Sequence, residues 1–430
     1  MSDIVIYGTG KTGQSLAQLV KRRGDNPIMY DDEHDGFVPS GDFCGKTVLL
    51  SPGVPPDAKG VAKANRCGAH VVSELMYCMP LCKGQVISVT GTNGKTTVCR
   101  MIKHVLDKAC YPSRLLGNGG VPFSSEVADV AEDETVVLES SSFQLRNADN
   151  FAPQVSVVTN LAPDHITYHG NYAAYVRAKC NNFLHQNPNQ FAVFNADDKD
   201  LFIFAMHAKS RVVFYSLTDK NANCFVDDDG FVVWNYGGKK QRVKPCFPSP
   251  YAHNKSNFLA AVCASVLVGV PFADAVEALA DFVFSPHRMQ FVAESRGVTF
   301  VDDSKGTNVA ATLAAVSCFT CPVALIVGGY DKGESFLPLF SALPHNVVFV
   351  AAIGQTAIRM QKQAAACGVS VQVFDNYKTA VVACRSSVSE TGGVVLLSNA
   401  CASFDMFDGY AQRGKYFAVV VKEVIDAEKK

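Results

Sequence analysis

Two glycine-rich turns, each between an apolar run and a stretch of helical period, carry the residue types of phosphate binding. The first, Gly8-Thr9-Gly10-Lys11-Thr12-Gly13, follows Ile4 to Tyr7. It fits the G-x-G-x-x-G of a dinucleotide-binding turn, and its "GTGKT" also resembles half of an ATP-binding P-loop. The second, Gly91-Thr92-Asn93-Gly94-Lys95-Thr96-Thr97, follows Val86 to Thr90. Small residues there let backbone N–H groups close around phosphate oxygens, and the helix N-terminus adds partial positive charge. Lys95 would neutralise the β/γ-phosphates, and a hydroxyl could hold Mg²⁺. The pattern departs from G-x-x-x-x-G-K-[ST], because Val89 stands at the first glycine. A merely structural turn does not need Lys-Thr-Thr at a helix start, so this segment reads as an ATP site.

Other polar residues close apolar runs. Glu139 ends "TVVLE" and is followed by Ser-Ser-Ser-Phe-Gln, which suits a carboxylate that partners a phosphate-binding strand in holding metal better than an ordinary solvated strand end. "VSVVTNLAPDHITYHG" delivers Asn160, Asp164, His165 and His169. The histidine spacing would suit zinc on a helix, but Pro163 and Gly170 bracket a short loop and no H-E-x-x-H is present. A Mg²⁺ site, or phosphate contacts from His165, fits better beside a P-loop. Lys179 lies in a segment with apolar residues at three and four, where the default is a surface lysine snorkelling from an amphipathic helix. His253 and Asn254 read as caps of the core helix that follows. Cys318 and Cys321 form a C-x-x-C with no second pair or nearby histidine, against a zinc or redox role.

The elements that must position these residues alternate. Strand-type runs at 4–7, 48–51, 86–90, 136–139 and 155–160 are interleaved with helical periods at 14–23, 95–108 and 172–186, the signature of βαβ units and an α/β fold. "VVFYSLTDKNANCFVDDDGFVVWNY" alternates around an Asp-Asp-Gly turn and predicts a β-hairpin. The strand–turn–helix pattern starts three times, giving domains at 1–83, 84–284 and 285–430. Residues 258–276 are apolar but broken by Gly269 and Pro271, which predicts a buried core helix rather than a membrane span. The 430 residues carry 39 Lys plus Arg against 40 Asp plus Glu, so no global field favours nucleic acid or a membrane surface. No signal peptide opens the chain, so a cytoplasmic location is expected. The 15 cysteines sit in apolar contexts and read as small buried hydrophobes, not a disulfide framework.

Taken in order, "GTNGKTT", "ESSSFQL", "NLAPDHITYHG", "YVRAKCNNF", "NADD", "AHNKSNFLAA", "PHRMQ", "DDSKGTN", "GGYDKG" and "LLSNACASFDMF" resemble the Mur ligases of bacterial cell-wall synthesis. That resemblance covers nearly the whole chain. It implies three α/β domains: Rossmann-like at the N-terminus, a P-loop-type ATPase in the centre, and Rossmann-like at the C-terminus. "YGTGKTG" and "LLSNACASFDMFDGYAQRG" are most similar to the members that add D-glutamate to UDP-N-acetylmuramoyl-L-alanine, with ATP and an acyl phosphate. Two anions must then approach, so Lys95 and Mg²⁺ would screen carboxylate from triphosphate.

Carried over by position, Gly91, Asn93, Gly94, Lys95, Thr96 and Thr97 would hold ATP phosphates. Thr96 and Glu139 would serve one Mg²⁺; His165 and a carbamylated Lys179 would serve a second. Asn254, Arg288, Asp303 and Lys305 would meet ATP, Asp303 at the ribose. Thr307, Lys332, Ser403, Phe404 and Tyr410 fall where the family binds D-glutamate, and a lysine with hydroxyls suits a dicarboxylate. Gly10, Lys11, Thr12 and Gly13, with Ser51 to Val54 (Ser51 and Gly53 among them) and Asn118, would hold the diphosphate of the UDP carrier, and Asp31 occupies the place of a ribose-binding acid. Lys11 is then a phosphate contact, not a catalyst. A monomer is expected, with no nucleic-acid partner and no membrane insertion.

Departures from the family pattern are Gly306 in "DSKGTN", expected to loosen that loop; Thr167 in place of an acid after Asp164-His165; and Asp32 and Glu33 where a basic residue is usual. Three rival readings remain open. A sibling ligase, such as a folylpolyglutamate synthetase, shares the middle and last domains. A NAD-dependent oxidoreductase would use Gly8, Gly10, Gly13 and Asp31 but leaves "GTNGKTT" unexplained, and a non-catalytic nucleotide-gated protein would not need an amino-acid pocket.

Overall fold

The computed structural model describes residues 2–32, 43–390 and 392–427, which form two compact units, Met1–Val283 and Phe284–Lys430. Glu33, noted above, lies outside the described residues.

The first unit holds two sheets. One has β1 (Asp3–Tyr7), β2 (Asn26–Tyr30), β3 (Thr47–Leu50) and β4 (His70–Ser73), all parallel in the order β2-β1-β3-β4. The other comprises β5 (Gln85–Thr90), β6 (Ser113–Gly117), β7 (Thr135–Glu139), β8 (Val155–Val158), β9 (Phe191–Asn195), β10 (Arg211–Ser216), β11 (Cys224–Val226), β12 (Val232–Tyr236) and β13 (Lys239–Val243). Its order is β13-β12-β11-β10-β9-β8-β5-β7-β6, parallel except for the two pairings of the terminal β11-β12-β13 meander. The expected hairpin is therefore present, closed at Asp227–Gly230 and extended by a third strand.

Strand β7 is buried at every position, as a central strand covered on both faces must be, and its β-branched run supplies that surface. The helix Lys95–Lys108 leaves the end of β5 and packs against the helix Ala252–Leu267. Ile4, Leu16 and Leu19 of the first sheet layer share one apolar cluster with Val86, Phe123 and Leu138 of the second. Each such buried side chain contributes roughly 1.5–3 kcal/mol, so the two sheets are held as one body.

Three expectations change. The apolar stretch 258–276 is not one helix: the first helix ends at Leu267, Gly269 turns with φ 109°, and Pro271 precedes a second helix at Phe272. The helix expected over 172–186 stops at Cys180, and 166–169 is a short helix rather than loop. Asn254 does not cap the core helix; that place belongs to Tyr251, and the buried Asn254 amide donates to Ser249 Oγ at 2.9 Å.

The second unit has β14 (Gln290–Ser295), β15 (Val298–Asp302), β16 (Val323–Val327), β17 (Val347–Ile353), β18 (Gln372–Phe374) and β19 (Gly393–Leu397), ordered β14-β15-β19-β16-β17-β18 with only β14 antiparallel. Helices cover both faces, and two apolar clusters form, one on each side of the sheet. Buried thiols such as Cys99, Cys263 and Cys384 behave as small hydrophobes, while Cys44, Cys110, Cys246 and Cys321 are exposed; none is joined in a disulfide. No helix among the described residues is long and apolar enough to cross a membrane.

Candidate functional site

The turn after β5 is fixed by the neighbouring strand end. Asn160 Oδ1 accepts from Asn93 N at 2.8 Å, its amide donates to Asn93 O at 3.0 Å, and Thr159 Oγ1 donates to the same carbonyl at 2.6 Å. Thr92 Oγ1 lies 2.8 Å from the Tyr175 hydroxyl and accepts from Ala162 N. Gly91 sits at φ 141°, and a Cβ there would come 2.0 Å from Thr159 Oγ1; one on Gly94, φ 88°, would come 2.5 Å from Asn257 Oδ1. Glycine is therefore required twice, by conformation and by space. Gly94 opens the 14-residue helix that begins at Lys95, Thr96 and Thr97, so the positive end of its dipole lies at the loop.

Around this turn the fold gathers charge. Lys95 Nζ donates to Gly91 O and Thr92 O, both at 2.8 Å. Lys179 Nζ donates to Gly91 O at 2.7 Å from the other side. Lys179 is 2% exposed, which overturns the surface-lysine default: its helix turns Tyr175, Val176, Ala178, Lys179 and Cys180 inward together. Burial, then the neighbouring Lys95, holds its amine well below the ordinary lysine range, against the pull of Asp164 and Glu139. Glu139 is buried at the end of β7 and accepts from Asn118 Nδ2 at 3.1 Å. His165 caps the short helix with φ 54°, its Nε2 3.8 Å from Asp164 Oδ2 and its ring against Phe143. His169 turns instead to Ser142 Oγ at 3.0 Å; burial, with His165 next, lowers its pKa to about 4. Among the described residues no group of three or more His, Cys, Asp and Glu side chains is placed to hold a metal ion.

The first glycine turn borders a cavity of about 830 Å³. Gly10, Lys11, Thr12, Asp31, Ser51, Gly53 and Asn118 all line it. Gly13 does not; it packs the helix onto the turn, where a Cβ would fall 1.8 Å from Gly8 O. Lys11 Nζ donates to Gly120 O at 2.6 Å. Asp31 Oδ2 accepts from Thr9 N and Oγ1. Asp32 also lines the cavity, holding the hydroxyls of Tyr7 and Tyr30. Burial opposes its charge, but those hydroxyls and the Gly60 and Lys59 amides keep its pKa below the usual value.

Glu74 and Gln144 are among the lining residues that sequence reasoning missed. Glu74 is 1% exposed and accepts from Ser124 N at 3.0 Å, Ser124 Oγ at 2.7 Å and Gln144 Nε2 at 3.3 Å. Burial raises its pKa, with those hydrogen bonds opposing. Gln144 stands three residues after Ser141 in a capping box. That box, legible as "SSFQ", was the available signal for Gln144; nothing local marks Glu74.

In the second unit Arg288 precedes β14, loops after β15, β16 and β19 carry Asp303, Lys305, Thr307, Lys332, Ser403 and Phe404, and Tyr410 opens the last helix. Asp303 is buried, accepts from Ser398 Oγ at 2.8 Å and from Met289 N at 3.3 Å, and is pushed up to about 7 by burial, with Ser398 and Arg288 opposing. Gly306 does not loosen this loop. It is buried, its N–H donates to Asp303 O, and a Cβ would fall 2.5 Å from Asp303 Oδ2 and 2.6 Å from Ser398 Oγ. Lys305 Nζ lies 5.1 Å from the centre of the Tyr410 ring, and Lys332 Nζ donates to Thr307 O at 3.4 Å. Ser403 is buried and its carbonyl accepts from Met406 and Phe407, whereas Phe404 is exposed and edge-on to Tyr330.

Comparison with known proteins gives the following. Residues 89–265 match the Mur ligase middle domain, and residues 287–401 match the Mur ligase glutamate ligase domain. A UDP-N-acetylmuramoylalanine--D-glutamate ligase of Caldicellulosiruptor saccharolyticus is 32% identical over 98% of this chain and 98% of its own. Its counterparts from Pelotomaculum thermopropionicum and Natranaerobius thermophilus are 33% and 36% identical, over 97% and 92% of this chain and 97% and 88% of theirs. Among solved structures, MurF from Acinetobacter baumannii superposes with TM-score 0.62 at 16% identity, over 96% of this chain and 98% of its own. MurF from Thermotoga maritima in complex with ADP gives 0.60 at 18%, over 90% and 96%.

Proposed function

Because this chain belongs to the Mur ligase family, we propose that it joins D-glutamate to UDP-N-acetylmuramoyl-L-alanine at the expense of ATP. The observation that carries this reading furthest is Lys179, buried and depressed in pKa beside Lys95, with the Gly91 carbonyl between them.

The substrate's alanyl carboxylate oxygen attacks the γ-phosphorus, ADP leaves, and an acyl phosphate forms. The amine of D-glutamate then attacks the acyl carbon, phosphate departs, and the nitrogen loses a proton as the amide forms. Lys95 and the first-turn amides of its helix hold the transferred phosphoryl, with Gly91, Asn93, Gly94, Thr96 and Thr97 around it. The buried Lys179 amine, its pKa held down by burial, is the nucleophile for CO₂: nitrogen attacks carbon, a proton is lost, and the resulting carbamate is an anionic oxygen ligand. With it, Thr96, Glu139 and His165 offer donors dominated by hard oxygen, which fit two Mg²⁺ ions. Bound there, Mg²⁺ lowers the repulsion between carboxylate and triphosphate.

The cavity beside Gly10 to Thr12 anchors the diphosphate and uridine end of the carrier, with Lys11, Asp31, Ser51, Gly53 and Asn118 as contacts and Gly13 shaping the turn. Asn254, Arg288, Asp303 and Lys305 serve ATP; Thr307, Lys332, Ser403, Phe404 and Tyr410 serve D-glutamate. Functional divisions at 1–83, 84–284 and 285–430 follow, in a monomeric cytoplasmic enzyme. Purified protein should release phosphate from ATP only with both UDP-N-acetylmuramoyl-L-alanine and D-glutamate present. Equal turnover with L-glutamate or a folate would overturn the assignment.

A further inference from the structure

Arg413 is 0% exposed, in the first turns of the helix Tyr410–Ala427. Its guanidinium donates to three backbone carbonyls: Nη2 to Ser304 O at 2.7 Å and Cys401 O at 3.0 Å, and Nη1 to Ala402 O at 3.1 Å. Ser304 stands between Asp303 and Lys305; Cys401 and Ala402 immediately precede Ser403. One side chain thus ties two loops that are distant in sequence. The second loop cannot hold its shape by conformational preference, because Ala400 lies in the left-handed region at φ 55°. The helix is seated closely as well: a Cβ on Gly414 would fall 2.2 Å from His287 Nδ1 and 2.4 Å from Asp302 Oδ2. Burial lowers the Arg413 pKa, so the charge is held at a desolvation cost that a residue serving only to fill space would not incur.

We propose that Arg413 is a positioning residue, whose planar fork fixes the 303–307 loop and the 400–404 loop in the mutual register that D-glutamate requires. It rests on the ligase reading above. A lysine keeps the charge but offers a single nitrogen, which cannot span three carbonyls on two loops. In ligand-free protein, Arg413→Lys should speed hydrogen exchange of the amides at 303–307 and 400–404 by about 10-fold or more while strands β15 and β19 stay protected. In turnover, the same variant should raise KM for D-glutamate about 10-fold while KM for UDP-N-acetylmuramoyl-L-alanine stays within about 2-fold. Added guanidinium should restore part of the loss in Arg413→Ala.

Unchanged exchange in Arg413→Lys overturns the clamp. So does an equal rise in KM for both substrates, which a merely structural role would give. If Arg413→Ala does not fold, Arg413→Lys alone decides. Wild-type protein that never uses D-glutamate would defeat the ligase reading instead, and the exchange measurement would still judge the clamp.

Discussion

The two glycine turns start from the same local physics and end in different surroundings. Each follows a parallel strand and opens a helix whose first-turn N–H groups have no acceptor within the helix itself. The turn after β1 borders a cavity of about 830 Å³, and its lysine reaches sideways to Gly120 O. The turn after β5 is pinned by Asn160 and Thr159 and has two lysines donating to one carbonyl. Gly10 has open space where a Cβ would stand, whereas Gly91 has 2.0 Å to the nearest atom. The same motif is thus tightly packed from behind in one place and faces a roomy cavity in the other, a difference that suits the reactive and anchoring roles proposed for them.

Substitutions sharpen or break that contrast. The largest effect is expected from Lys95→Ala, which should lower kcat by roughly 10³-fold, since the proposed role of Lys95 is to meet charge that develops at the transferred phosphoryl. A loss below about 10-fold in steady-state phosphate release would remove the contrast. Lys179→Ala should cost roughly 10²-fold, with partial recovery on adding formate or acetate; full activity without them would eliminate the carbamate. Gly91→Ala should destabilise the fold by about 2–3 kcal/mol in urea unfolding, and Gly10→Ala by less than about 1 kcal/mol. Similar values for the two would mean that the pinned and open turns do not differ mechanically. Lys11→Ala should raise KM for the UDP substrate about 5-fold with kcat unchanged, the mark of binding lost equally in ground and transition states.

The smallest effect concerns pH. His169 has a folded pKa of about 4 against an ordinary 6.5, so the unfolded chain binds the proton first as pH falls. Its contribution is complete above 6.5 and is lost progressively toward 4. His169→Gln should flatten the fall in Tm across that window by about 2 °C. An unchanged slope would show that His169 does not couple to folding.

The α/β alternation and both glycine turns were legible because they are written in contiguous residues: "VISVTGTNGKTT" already contains the strand, turn and helix start. Lys179 was misread from its local pattern, because a nine-residue helix pressed between sheet and turn buries faces that spacing assigns to solvent. Gly306 was misread for a related reason. Its tightness comes from Ser398, a residue on another strand's end. Glu74 and Arg413 were silent, since their partners, Ser124 and Gln144 for one and Ser304, Cys401 and Ala402 for the other, are mostly far away in the chain. What local pattern cannot carry is the third dimension of a buried polar group.

Strand β13 closes one side of the nine-stranded sheet, where an unpaired backbone edge could recruit the same edge of another copy. Its sequence is Lys-Lys-Gln-Arg-Val, exposed at the first four positions, with Arg242 anchored on Asp227 and Asp229. Two such edges paired antiparallel about Gln241 would set Lys240 against Arg242, and like charges directly opposite disfavour pairing. The meander thus ends the sheet with a built-in guard against fibre-like growth, leaving the long parallel core beneath it able to remain apolar without becoming sticky.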